Sequence, residues 1–410
     1  MPATATFPLR DYNLAATLTS GQAFRWREID GNWENIIAGQ LNLRDAVRLA
    51  AFPQREESIV VYSEGAHHWS HLGDIVRELL ETSDRQVCYV TSGPDDPALE
   101  LTHARFHPFR TNRGRIRDWL LNNLVCRLCV MTMPDLGQFQ VVRSPGVACY
   151  AYVPHSMVSL HMAYRPGAFD HYDVLYCAGP HHVAEARAIE QMRSAPKKML
   201  VEQGYARIDA MREAIAPGQR ENPRPRVLLA PSWGASGLLE SGCHDLIAAL
   251  LEADMMVTVR PHPETARHRP DALRALHERF SSDGRFAFDR DESGWRSYQS
   301  ADTMISDWSG AAFEFAFSRQ RPLVFIDTPP KVNNAEFTAL DEVPLEIGIR
   351  DQIGVVASPG DPLGTVNAVR EALSRPDMSD GDLARYLFNP GHAAKTCAAH
   401  LAKLAEAGTA

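Results

Sequence analysis

Thr303-Met304-Ile305-Ser306-Asp307-Trp308-Ser309-Gly310-Ala311-Ala312-Phe313-Glu314-Phe315 is the stretch that decides the fold. Thr303 to Ser306 is a short β-favouring run without proline or glycine, which reads as a buried strand. Asp307 to Gly310 are the small and polar residues of a turn. A helix then begins near Gly310. Strand, tight turn and helix in immediate succession are the first two parts of a βαβ unit. The start of such a helix offers unpaired amides and about half a positive charge, which suits a phosphate. Gly310 would let the backbone come close to a ligand, and Ser309 would add a hydroxyl. Plain N-capping by Asp307 or Ser309 accounts for the same residues, and both readings stand at this point.

Outward from this stretch the same alternation continues in both directions. Val227 to Ala230, Met255 to Val259, Phe286 to Phe288, Leu323 to Ile326 and Gly354 to Ala357 read as strands with helices between them. Upstream, Ser58 to Tyr62, Gln86 to Thr91, Leu128 to Met133, Val147 to Val153 and Asp173 to Cys177 read as strands. Helical patterns run through Ile75, Leu79 and Leu80, over Arg115 to Leu124, and from about His181. A stretch rich in proline and charge, Ala216 to Arg226, separates the two series as a linker. The expected class is α/β: two Rossmann-like parallel-sheet domains, 58–215 and 226–375, facing a cleft. C-terminal helices (376–410) and a small α+β N-terminal stub (1–50) complete the chain. In the stub, Leu9 to Leu18 suggests a short helix. Ala23 to Arg27 and Trp33 to Ala38 flank Asp30-Gly31-Asn32, a hairpin signal.

In open parallel sheets ligands bind beyond the carboxyl ends of the strands, so the loops there are the places to look for chemistry. Ala230-Pro231-Ser232-Trp233-Gly234 follows one strand, and the small, flexible run Gly234 to Gly237 could wrap a phosphate or nucleotide. Arg260-Pro261-His262-Pro263 follows another, stiffened by two prolines. Pro154-His155-Ser156 ends a strand of the first half, where a histidine could serve as a general base. Each loop, taken alone, is equally an ordinary turn. Asp289-Arg290-Asp291 resembles a metal-binding Asp-x-Asp but is short and common. Cys126-x-x-Cys129 has no second pair, and its apolar surroundings place it in the core. His181-His182 lacks a third ligand at metal-site spacing.

Composition narrows the classes. The 410 residues are 45% hydrophobic and 23% charged, which is ordinary for a globular protein and excludes wholesale disorder. The formal charge of −9, from 42 basic and 51 acidic residues, speaks against a protein that lives on nucleic acid. The 7 cysteines read as reduced thiols. Met1 to Asp11 lacks the basic start and apolar centre of a secretory leader, so a cytoplasmic location is expected. The uncharged run Ser144 to Tyr164 contains Pro145 and Pro154 and reads as a strand and loop rather than a membrane span.

Taken in order, Ala-Pro-Ser-Trp (230–233), Arg-Pro-His-Pro (260–263), Ile-Ser-Asp-Trp-Ser-Gly-Ala-Ala-Phe-Glu-Phe (305–315) and Pro-Leu-Val-Phe-Ile-Asp (322–327) resemble the CDP-glycerol glycerophosphotransferases of teichoic-acid and capsule-type polymer synthesis. Tyr-Val-Pro-His-Ser (152–156), Ala-Phe-Asp-His-Tyr-Asp (168–173), Gly-Pro-His-His (179–182) and Gly-Tyr-Ala-Arg-Ile-Asp (204–209) extend the likeness, which covers about 58–375. The resemblance implies the two-domain GT-B fold with the donor held by the second half. It implies transfer of a glycerol-phosphate or related unit from a CDP-activated donor to an acceptor hydroxyl, without cofactor or metal. His155 would be the general base. Arg260 and His262 would offset charge on the leaving phosphate, and Ser309, Gly310 and Ala311 would seat the pyrophosphate. Ser232, Trp233 and Asp307 complete the expected donor side. A lipid-linked acceptor would add peripheral contact with the inner face of a membrane.

Family members often have His-Gly where this chain has His155-Ser156, and Tyr-Ser-Ser where it has Trp308-Ser309-Gly310. The Ser-Gly turn also looks like the phosphate turn of UDP-N-acetylglucosamine 2-epimerases, which keeps a nucleotide-sugar enzyme as the alternative. Separately, Asp11 to Trp26 with Trp33 and Ile36 to Gly39 resembles the start of the N-terminal domain of 8-oxoguanine DNA glycosylases. The likeness stops near Arg44, and that family's catalytic domain is not visible in the chain. A DNA-lesion binding module is the remaining reading of this segment.

Overall fold

A computed structural model describes residues 26–29, 32–35, 58–111, 114–214, 223–234, 237–241, 243–289 and 295–406. Most of the glycosylase-like stretch and of the expected linker lies outside the described residues. Within the stub, β1 (Trp26–Ile29) pairs antiparallel with β2 (Asn32–Asn35), Ile29 opposite Asn32, as the hairpin signal implies.

The first large sheet contains β3 (Ser58–Ser63), β4 (Gln86–Thr91), β5 (Phe106–Arg110), β6 (Cys126–Met131), β7 (Val147–Tyr152), β8 (Val174–Cys177) and β9 (Met199–Glu202). Its strand order is β5-β4-β3-β6-β7-β8-β9, and the pairs from β5 to β8 are parallel. Ile59, Val60 and Val61 are all buried, the continuous apolar run of a strand covered on both faces. Helix α1 (Trp69–Thr82) buries Leu72, Ile75, Val76, Leu79 and Leu80, the spacing of one helical stripe. The edge strands β5 and β9 are not evident in the sequence. β5 carries Pro108, which an edge tolerates, and β9 is partly exposed along its length.

The second sheet contains β10 (Arg226–Leu229), β11 (Met256–Val259), β12 (Phe286–Phe288), β13 (Thr303–Ser306), β14 (Leu323–Ile326) and β15 (Gly354–Ala357). All five pairings in the order β12-β11-β10-β13-β14-β15 are parallel. Side chains alternate between two apolar layers. Val227, Leu229, Val257, Ile305 and Val324 enter one, while Leu228, Met304, Leu323 and Phe325 enter the other. The helices used below are α2 (Pro180–Met192), α3 (Pro263–His268), α4 (Ala311–Arg319) and α5 (Leu345–Gly348). The strand order reverses between β10 and β13. That is a topological switch point, where the loops leaving adjacent strands diverge and open a crevice.

By internal contact the chain divides into two units. One runs through Val153 and adds Gly167–Leu175 and the segment from Cys397; the other joins Pro154–Pro166 to Tyr176–Thr396. The short segment that carries His155 thus belongs with the second sheet.

Candidate functional site

All nine expected site residues lie in the second unit. Most sit in loops at the carboxyl ends of its strands, and they gather in three connected places.

The first is the switch point itself. Asp307 follows directly on β13 and is 1% exposed. Its carboxylate accepts amides from Ser232 (2.6 Å), Trp308 (2.6 Å) and Leu238 (3.2 Å). Hydrogen bonds from backbone amides to a carboxylate are strong ones. Asp307 therefore spends its charge on bracing the loop after β10 and does not present it to solvent. Ser306 adds a bond from its hydroxyl to the Ala230 carbonyl (2.8 Å). Trp308 is fixed at both ends: its indole donates to the Thr328 carbonyl (2.7 Å), and the Arg350 guanidinium lies 3.7 Å above the ring. Arg350 also donates to Asp327 (2.8 Å) and to the Asp307 carbonyl (3.0 Å). Burial lowers the Arg350 pKa, while the Asp327 carboxylate works in the opposite direction.

The second is the start of α4. The Ser309 hydroxyl accepts the Ala311 amide (3.3 Å), so local capping is present. The amides of Ala312 to Glu314 close the first turn on Ser309 and Gly310. The donors ahead of these, on Ser309 and Gly310, are the ones left for an anion. A side chain on Gly310 would start 2.7 Å from the Ser156 hydroxyl. The backbone at Gly310 is ordinary helical, so glycine serves here for close approach. Contact with Ser156 brings the His155-Ser156 pair against the α4 turn, although the two stretches lie far apart in sequence. His155 is half-buried, its ring edge-on to Tyr164 with centroids 6.0 Å apart.

The third is the aromatic and cationic rim. Trp233 is exposed at 37%. The ring of His262 lies 6.1 Å from it, that of His268 stacks at 6.3 Å, and Lys331 Nζ is 4.5 Å over its face. Burial pulls the Lys331 pKa down, opposed by Asp307 and Glu240. His262 caps α3, its Nδ1 accepting the Glu264 amide (3.1 Å), which leaves the neutral ring's proton on Nε2. Arg260 donates to Asp289 (2.8 Å) and packs over Tyr298. Tyr298 in turn reaches Glu314 of α4 (3.5 Å), whose carboxylate Arg207 also holds (2.9 Å).

Lys331, Arg350, Arg207 and Glu314 are thus parts of the site region that no local motif announced. Arg207 and Glu314 lie within the family-like stretches 204–209 and 305–315, where the resemblance gave neither a role. Among the described residues, no group of three or more His, Cys, Asp or Glu could hold a metal ion. Among them, too, no helix is long and apolar enough to cross a membrane.

No family model matches the chain, and no curated protein sequence does. Solved structures do. The wall teichoic acid polymerase TagF, in a structure soaked with CDPG, aligns over 89% of this chain and 94% of its own at 12% identity, TM-score 0.56. The UDP-GlcNAc 2-epimerase of Methanocaldococcus jannaschii, with UDP-GlcNAc and UDP, covers 85% and 99% at 11% identity, TM-score 0.53. That of Neisseria meningitidis, bound to UDP-GlcNAc, covers 84% and 99% at 12% identity, TM-score 0.54. The shared feature is the GT-B fold, as expected from the sequence.

Proposed function

We propose that the protein is a GT-B transferase that takes a nucleotide-diphosphate-activated donor. In this reading it moves a glycerol-phosphate or related unit from a CDP-activated donor to an acceptor hydroxyl in cell-surface polymer synthesis. One observation carries the reading: Ser156 packs directly on Gly310, which sets a histidine-bearing loop beside a helix start suited to phosphate.

His155 takes the proton from the acceptor hydroxyl. The amides of Ser309 and Gly310, with Ala311 behind them, meet the donor pyrophosphate. Arg260 and His262 stabilise charge that develops on the leaving nucleotide. Trp233 offers an aromatic face to the base, with Lys331 beside it. Asp307 acts at one remove, by holding Ser232 and Trp233 in place. The acceptor, if lipid-linked, would be met at a membrane surface. The TagF structure soaked with CDPG shares the fold and supports this donor class.

The test is CMP release from CDP-glycerol by the purified protein with glycerol-phosphate acceptors. His155→Ala is expected to lower the rate by about 10²–10⁴, the usual worth of a general base. Absence of both CMP release and CDP-glycerol binding rejects the donor assignment. The Ser309-Gly310 turn, and the epimerases with UDP-GlcNAc on the same fold, favour a nucleotide-sugar enzyme as the second reading. Stabilisation by UDP-GlcNAc and not by CDP-glycerol would select it.

A further inference from the structure

The segment after His155 is gripped residue by residue from elsewhere in the same unit. From α2, His181 Nε2 donates to the Met157 carbonyl (2.9 Å) and His182 Nε2 to the Val158 carbonyl (3.0 Å). Glu346 of α5 accepts the Ser159 amide (3.0 Å), and Glu185 of α2 accepts the Leu160 amide (2.6 Å). Asn334 donates to the His161 carbonyl (2.8 Å) and Asn333 to that of Ala163 (2.7 Å). The Met162 carbonyl accepts the amides of both asparagines. Every residue from 157 to 163 is therefore tied by at least one backbone group. Meanwhile Met157 anchors the near end in the apolar layer beneath α4.

We propose that Glu185 and Glu346 are positioning residues for His155: by holding consecutive amides from two separate elements, they fix how the segment presents His155 and Ser156 to the start of α4. The proposal rests on the reading of His155 as the reacting base. The two carboxylates are the costly part of the grip. Glu185 is 1% and Glu346 4% exposed, and one oxygen of each, Glu185 Oε1 and Glu346 Oε2, has no hydrogen-bond partner. A buried charge of this kind is retained only at a cost in stability. An apolar side chain at either position would leave the Ser159 or Leu160 amide without its acceptor, which is costly for a buried donor.

Histidines and carboxylates surround the pair. His161 Nδ1 lies 3.5 Å from Glu185 Oε1, and its Nε2 donates to the Glu342 carbonyl (3.1 Å). Burial opposes an imidazolium at His161, but Glu185 outweighs it and raises the pKa. His181 and His182 are driven neutral by burial, His182 down to about 4. Burial, then the Glu185 charge, push Glu346 up to about 7. Near neutrality Glu346 is thus part protonated. Its grip on the Ser159 amide uses the other oxygen and survives in the neutral form.

The variants are Glu346→Ala, which removes the acceptor, and Glu346→Gln, which keeps it. Hydrogen exchange of a peptide covering 155–163 is expected to rise by about tenfold in Glu346→Ala, the loss of one charged hydrogen bond to an amide. It stays native in Glu346→Gln, and strands β10 and β13 stay protected in both. The titration midpoint of the His155 imidazole, followed by NMR, moves only in Glu346→Ala. With CDP-glycerol, kcat falls in Glu346→Ala and donor affinity holds. If Glu346→Ala does not fold, Glu346→Asp shortens the reach and gives the same pattern. Native exchange at 155–163 and an unmoved His155 titration in the Ala or Asp variant overturn the proposal. Failure of the native protein to turn over CDP-glycerol strikes the donor reading alone, because the exchange and titration readouts need no substrate.

Discussion

Glu346 carries its raised pKa at a definite cost that varies with pH. Its folded pKa is about 7 against an ordinary 4.5, so the folded state favours the proton. Its contribution is complete below about 4.5 and is lost as pH rises through 7. Glu346→Gln has no such proton to lose. It is expected to unfold at a higher temperature than the native chain at pH 8, with the gap closing by pH 5. Equal slopes of Tm against pH for the two proteins would refute this. Gly310 makes a second case at the same scale. A methyl there meets the Ser156 hydroxyl at 2.7 Å. Gly310→Ala is expected to weaken CDP-glycerol binding severalfold, and adding Ser156→Ala to restore most of it. A double variant no better than the single one would separate the contact from the effect. Neither residue's partner could be read in the sequence, because Ser156 and Gly310, or Ser159 and Glu346, share no local pattern.

Among the elements, the loop after β10 depends most on one side chain. Asp307 holds three of its neighbouring amides, two of them across the crevice between β10 and β13. Asp307→Ala is expected to cost about 2–4 kcal/mol in urea unfolding, given the worth of amide bonds to a charged acceptor. Asp307→Asn, which keeps one oxygen, should cost less. The strands were largely legible, because Leu323 to Ile326 is a continuous apolar run of the kind that a covered parallel strand requires, and Thr303 to Ser306 is a β-favouring run without proline or glycine. Phe106–Arg110 and Met199–Glu202 were not, since an edge strand is covered less and tolerates Pro108 or exposed residues. The turn before α4 was legible as a candidate. The inward orientation of Asp307 was not, because an aspartate in a turn has the same sequence signature whichever way it faces.

For the whole molecule, the apolar layer of the second sheet that takes in Leu228, Met304 and Phe325 closes around α4. Phe315 is 0% exposed within it, edge-on to Tyr298. Phe315→Ala is expected to cost about 3–5 kcal/mol by urea unfolding, with the described strands otherwise intact. Donor binding works in the opposite direction. At about 100 times its Kd a ligand adds about 2.7 kcal/mol, so CDP-glycerol should raise Tm where an equal dose of CMP-free glycerol phosphate does not. The alternation of strand and helix announced this architecture. The assignment of Pro154–Pro166 to the second unit was hidden, because it depends on partners far along the chain.

That assignment also orders events during synthesis. Ser159 and Glu346 are 187 positions apart. At about 5–20 residues per second on the ribosome, the His155 loop emerges tens of seconds before the carboxylate that completes its restraint. Until Glu346 has been added, a growing chain can have its first sheet and yet lack the means to hold His155 in register. A nascent polypeptide, or one released early, would carry the His155 loop without that restraint.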